Sequence, residues 1–270
     1  MSKVAKIFSL VALLGLIAGM AFYIISQRQQ SVFEISVQNK IHYADDPSME
    51  INSVLIKAFY FVPNDRQEQI SIAWQKNLTD TMTELKKFYE LQFHHAVSID
   101  FAVYPQPIIG KLGGLDYDGD AVALGNPSAL LRIQDELLIR VFNPGGDLYS
   151  ALFADNGSLS FRVIGILYEG AGSTATIIKK DAQNQNLAVL SEGSLPTFLA
   201  SNYYLTSESY KDYGQTIFAH EFGHTLGLPD SYDLDSNIPS SEDIMGHGRY
   251  RPLSITHLSL EAKAKLGLTY

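Results

Sequence analysis

The chain has 270 residues, enough for one large domain or two small ones, and its 46% hydrophobic and 18% charged residues describe a protein able to bury a core. The formal charge is −9; beyond position 28 there are 17 basic and 29 acidic residues, net −12, with no basic stripe, which argues against a nucleic-acid partner. No cysteine is present, so disulfides, thiolate metal ligands and thiol nucleophiles are excluded.

At the amino terminus Lys3 and Lys6 precede an uncharged, apolar run from Ile7 to Ile25. A membrane-spanning helix needs roughly 17–25 such residues, whereas the apolar part of a cleavable signal peptide is about 7–15. Phe22-Tyr23-Ile24-Ile25 extends the run past the small residues around Gly19 and Ala21. Residues 1–28 are therefore expected to be a signal-anchor, with Lys3 and Lys6 cytoplasmic and the remainder exported, membrane-anchored. The alternative is a signal peptide cleaved near residue 21, which would release a secreted protein. Residues 29–50 are polar and mixed and read as a linker; 51–270 read as one domain, with no internal repeat and no second core.

Val54 to Val62 is rich in branched and aromatic residues and stops at Pro63-Asn64-Asp65, which predicts a strand. Between Ile70 and Phe93, Ile72, Leu78, Met82, Leu85, Phe88, Tyr89 and Leu91 approach helical spacing. Val97 to Tyr104 predicts another strand. Asp116, Asp118 and Asp120 alternate as calcium-loop carboxylates do, but Pro127 stands where a bidentate glutamate should close such a loop; a solvated turn is the plainer reading and Ca2+ the alternative. Residues 128–141 predict a helix that could run into a strand at Leu137–Phe142. Strands are expected at Phe161–Tyr168, Asn186–Leu190 and Phe198–Leu205, a helix at Tyr213–Leu226, and a closing helix at Ser259–Leu266.

The helix at Tyr213–Leu226 contains the chemistry. His220 and His224 are four apart, hence one turn apart on one face, where two imidazoles can hold one ion at about 2.0–2.1 Å. Glu221 lies one residue along, rotated by about 100°, and reaches the neighbouring volume without joining the ligand set. Two histidines that bind and one carboxylate that acts as base on a metal-activated water make a hydrolytic site. His-Glu-x-x-His is short enough to arise by chance, and its continuation adds specificity. Gly227 comes three residues after His224, where glycine takes the left-handed conformation that ends a helix; Pro229 prevents its resumption, and Asp230 can swing back as third ligand. Asp233 is close enough to compete, Asp235 is nearby, and Glu261 on the closing helix is a distant alternative. Met245, in Asp243-Ile244-Met245-Gly246, could form a polarisable apolar floor beneath the histidines. His42, His94, His95 and His257 show no ligand pairing.

The run HEFGHTLGLPDSYD, then DIMGHG, then Pro252 and LEAKAKLG resembles the immune inhibitor A-like zinc metallopeptidases of the metzincin clan, over about residues 213–268. The resemblance implies an α+β metzincin-like fold with a twisted mixed sheet, an active-site helix and a C-terminal helix. It implies Zn2+ on His220, His224 and Asp230, Glu221 as general base, Met245 as the Met-turn residue, and a protein or peptide substrate. His247 stands where some metzincins carry a tyrosine, which makes it a candidate oxyanion donor. The other readings are a catalytically silent zinc-binding or adhesion domain and a zinc hydrolase of non-peptide amides.

Overall fold

A computed structural model describes residues 40–44, 46–120, 125–141, 161–177, 187–189, 194–231 and 242–268. The expected anchor at 1–28 and the linker as far as residue 39 lie outside the described residues. Among the described residues, no helix is long and apolar enough to cross a membrane.

The strand predicted at Val54–Val62 is β3 (Ser53–Val62), an interior strand one in from the edge of a mixed sheet. It pairs in parallel with β4 (Ser98–Val103) on one side and β6 (Phe161–Tyr168) on the other, and β5 (Ile108–Ile109) pairs with its far end. Beyond β6 lies β9 (Thr197–Ser201), also parallel; β7 (Ser173–Ile177) then runs antiparallel to β9 and parallel to β8 (Ala188–Val189). The mixed sheet with helices agrees with the expected α+β class.

Side chains alternate across a strand, and β3 uses both faces. Val54, Ile56, Ala58, Tyr60 and Val62 enter one core, with α1 (Trp74–Gln92) and α4 (Gly214–Thr225). Phe59 and Phe61 enter a second core, with Leu130, Ile133 and Leu137 of α2 (Pro127–Val141). Parallel strands covered on both faces read as near-continuous apolar runs, as β3 and β6 do. On α1, Trp74, Leu78, Met82, Leu85 and Tyr89 recur at helical spacing and are buried. Each large apolar side chain so buried contributes about 1.5–3 kcal/mol.

Three local expectations are corrected. Residues 137–141 continue α2 and do not turn into a strand; Phe142 is outside the described residues. The strand expected at Phe198–Leu205 ends at Ser201 and is followed by the short helix α3 (Tyr203–Thr206). Residues 41–50 are not a linker: β1 (Ile41–Tyr43) and β2 (Asp46–Ile51) form an antiparallel hairpin. The hairpin is held because it covers two helix ends. Ala44 N–H donates to Leu226 O (2.9 Å) at the end of α4, and His42 N–H donates to Leu266 O (3.1 Å) at the end of α5 (Leu260–Lys265).

In the described part of the aspartate-rich loop, nothing supports a calcium site. Asp118 is clamped by Arg66 through both carboxylate oxygens, and it accepts further bonds from the Tyr168 hydroxyl (2.7 Å) and Ala171 N–H (3.0 Å). Asp116 is half exposed and lies near Arg132 at 3.9 Å, and Asp120 is exposed. Burial pushes the Asp118 carboxyl up, but Arg66, Ala171 and Tyr168 outweigh it and hold it below the usual carboxylate range. An aspartate with these partners is already neutralised by the protein.

Candidate metal centre

The motif helix α4 is buried from Thr216 to Thr225, with β9, β7 and α1 against it. An ordinary amphipathic helix would turn its polar residues outward; here His220 is 1%, His224 2% and Glu221 4% exposed. Tyr89 of α1 pins the helix by donating from its hydroxyl to Ala219 O (2.7 Å) and by packing edge-on against Phe222. Burial pushes that phenol well above its ordinary pKa, with the Asp243 carboxylate adding to the shift, so it stays a donor.

The helix ends as the glycine predicted. Gly227 has φ of +86°, its N–H donates to His224 O (2.9 Å), and Leu228 N–H reaches back to Gly223 O (3.3 Å). These are the paired bonds of a Schellman ending. A side chain at Gly227 would also strike the Tyr43 ring, 2.4 Å from where its Cβ would lie. The turn brings Asp230 back over the histidines: its Oδ1 is 3.4 Å from Nε2 of His220 and 3.4 Å from Nε2 of His224, and the two Nε2 atoms are 3.2 Å apart.

The tautomers follow from the other ring nitrogens. His220 Nδ1 lies 2.8 Å from Ile244 O and His224 Nδ1 lies 2.8 Å from Leu228 O. A carbonyl only accepts, so both Nδ1 atoms carry the hydrogen and both Nε2 atoms present lone pairs. Asp230 Oδ1 is buried and, among the described residues, has no hydrogen-bond donor. Three electron-rich atoms thus face one another, an arrangement that a cation stabilises and its absence makes costly. Tetrahedral bonds of about 2.0–2.1 Å put ligand atoms about 3.3–3.4 Å apart, which is the size of this triangle. The residues therefore fit a zinc-sized ion.

Of the other residues named from the sequence, Met245 is buried beneath α4, its sulfur 2.4 Å from where a Cβ on Gly223 would lie; only glycine lets the two approach. His247 opens a short 3-10 turn, His247–Tyr250, packed on α4. Glu261 does not join the cluster: its side chain is largely exposed and pairs with Lys265 at 3.7 Å. It lines a groove of about 230 Å³ that Asp230 and Met245 also border. Asp233 and Asp235 are outside the described residues. His42 bonds Tyr43 O, His257 lies 4.0 Å from Glu242, and His94 and His95 turn the chain at the end of α1 with positive φ. The carbonyls of Ile244 and Leu228, which orient the imidazoles, were invisible in the sequence because any residue supplies one. Ser231 and Asp243 were also missed as supports.

Such a site, on a glycine-ended helix above a methionine turn, has the form of a metallopeptidase centre. The family comparison agrees. Residues 178–248 match the immune inhibitor A peptidase M6 catalytic domain, in line with the resemblance read from the motifs. No curated protein matches the sequence. Among solved structures, metalloproteinase-II from Bacteroides fragilis is similar at 12% identity and a TM-score of 0.39, covering 85% of this chain; the chain spans only 56% of that protein's length. Archaemetzincin from Methanopyrus kandleri is similar at 12% identity and a TM-score of 0.36, over 79% of this chain and 94% of its own. Overlaps this loose add nothing to the chemistry of the site.

Proposed function

We propose that the protein is a zinc-dependent endopeptidase acting on protein or peptide substrates, with His220, His224 and Asp230 holding the ion. The observation that carries this reading is the donor-free triangle of two Nε2 atoms and Asp230 Oδ1, sized for a tetrahedral ion. When bound there, zinc supplies Lewis acidity that polarises the scissile carbonyl and acidifies water.

The chain's own groups do the proton work. Glu221 is buried next to His220, and its charge acts on both His224 and Tyr204. It takes a proton from the attacking water as the oxygen bonds to the carbonyl carbon. It then delivers that proton to the amide nitrogen as the C–N bond breaks, so the carboxylate is regenerated. His247 is the oxyanion donor in this reading, supported by the turn that places it after Met245 against α4. The Nδ1–H bonds to Ile244 and Leu228 keep the imidazoles from rotating between turnovers. The run from Ile7 to Ile25 and its flanking lysines support a catalytic domain exported and tethered at the membrane.

The test is incubation of the full chain with unfolded protein and, separately, with peptidoglycan, with and without chelator. Chelator-sensitive protein cleavage that disappears in Glu221→Ala is expected. Stoichiometric zinc with no turnover of either substrate would establish a silent binding domain instead, and cleavage of peptidoglycan alone would establish an amidase.

A further inference from the structure

We infer that Ser231 and Asp243 are a positioning pair that fixes the third metal ligand. The inference rests on the metal-centre reading above.

Asp230 sits on a loop, and a loop residue left to itself loses about 1–2 kcal/mol of backbone entropy when it is ordered. Something must hold it, and the next residue does. Ser231 N–H donates to Met245 O (2.8 Å) and its hydroxyl donates to Asp243 Oδ2 (2.8 Å). Asp243 is buried, and its other carboxylate oxygen accepts Met245 N–H (3.2 Å) and Ser259 N–H (3.3 Å) at the start of α5. Its backbone carbonyl closes the turn by accepting N–H from Gly246 (2.9 Å) and Gly248 (3.0 Å). A Cβ at Gly248 would stand 2.5 Å from that carbonyl oxygen, so the turn closes only over glycine.

The same three residues reach the rest of the centre. Ile244 O accepts from Nδ1 of His220, and Met245 sulfur seats against Gly223, between the two histidines on α4. The segment therefore touches the His220 ring, the motif helix and the Asp230 loop at once. Asp243 accepts from Ser231, Met245 and Ser259 and is not part of the His220–His224–Asp230 cluster; its charge is used to gather N–H and O–H groups. Contacts that orient ligands in this way typically change metal affinity by about 10–100-fold when lost.

Ser231→Ala tests the pair, because it removes the hydroxyl arm and leaves the backbone bond to Met245. Zinc affinity of the full chain is measured by competition with a chromogenic chelator, and the cobalt-substituted protein gives a visible spectrum sensitive to ligand geometry. The expected result is about tenfold weaker zinc binding and an altered cobalt spectrum, with the melting temperature of the metal-free protein lowered by only a few degrees, the cost of one donor lost to the buried Asp243 carboxylate. Ser231→Thr, which keeps the hydroxyl, should restore both, and Asp243→Asn should shift both as Ser231→Ala does. Wild-type affinity and spectrum in Ser231→Ala overturn the inference. A lowered metal-free melting temperature with an unchanged cobalt spectrum also overturns it, since the pair would then be merely structural. A wild-type chain that takes up no zinc overturns the metal-centre reading itself, an outcome distinct from these.

Discussion

Asp118 and Asp230 are aspartates in glycine-punctuated loops, similarly shielded, with side chains 20% and 25% exposed, and they have opposite fates. Asp118 has a guanidinium on both oxygens, a phenol and an amide N–H, all from the protein. Asp230 directs one oxygen at two imidazole lone pairs. The carboxylate whose sequence neighbours alternate like a calcium loop is structural, and the one next to a proline is the candidate ligand. What decides a carboxylate's role is the set of donors the fold brings to it.

The largest expected effect separates chemistry from binding. Glu221→Ala should lower peptide-hydrolysis kcat/KM by about 10²–10⁴ while zinc content by metal analysis stays at wild type. Asp230→Ala should weaken zinc by more than the roughly 100-fold that a lost supporting contact causes, yet leave metal-free stability within about 1 kcal/mol, since its inward oxygen has no donor to lose. Asp118→Ala should do the reverse. Leaving Arg66 without its partner should cost about 3 kcal/mol in urea unfolding, with zinc stoichiometry unchanged.

A smaller effect is the pH dependence of that pair. The folded-state carboxyl of Asp118 is held below its unfolded value of about 3.9, so its contribution is fully present above that pH and is lost as pH falls through the folded value. The stability gap between the wild type and Asp118→Asn should therefore narrow as unfolding is measured from about pH 5 down to pH 3. The smallest effect is none: calcium at millimolar concentration should leave the melting temperature unchanged, and a clear rise would return the aspartate loop to the list of ligand sites.

Sequence patterns exposed what depends on local periodicity. β3, β6 and α1 were legible because strand alternation and helical spacing leave a mark in which residues are apolar. The His220–His224 face and the Gly227 stop were legible because helix geometry and positive φ constrain residue type. β7 passed unnoticed: its serine and threonines read as polar, although Thr174 and Thr176 are buried in the sheet. The β1–β2 hairpin reads as linker in the sequence because Asp46, Pro47, Ser48 and Glu50 carry no apolar alternation and its order comes from docking. The supports of the metal centre were hidden for a further reason: backbone carbonyls have no residue signature, and Ser231 and Asp243 meet only after the loop between them is closed.

The hairpin's docking also bears on how the molecule is assembled in time. Tyr43 lies over Gly227, and His42 lies over Gly267 as its N–H bonds Leu266, so the turns that finish α4 and α5 are sealed by residues near the other end of the chain. Contacts of such long sequence separation form slowly, because the loop must close before the contact rewards it. On a ribosome, Tyr43 and Ala44 must wait for about 180 further residues, and His42 for more than 220, before their partners exist. The metal-binding turn is thus among the last parts to be sealed, and a fragment begun at residue 51 would fold with both helix ends uncovered.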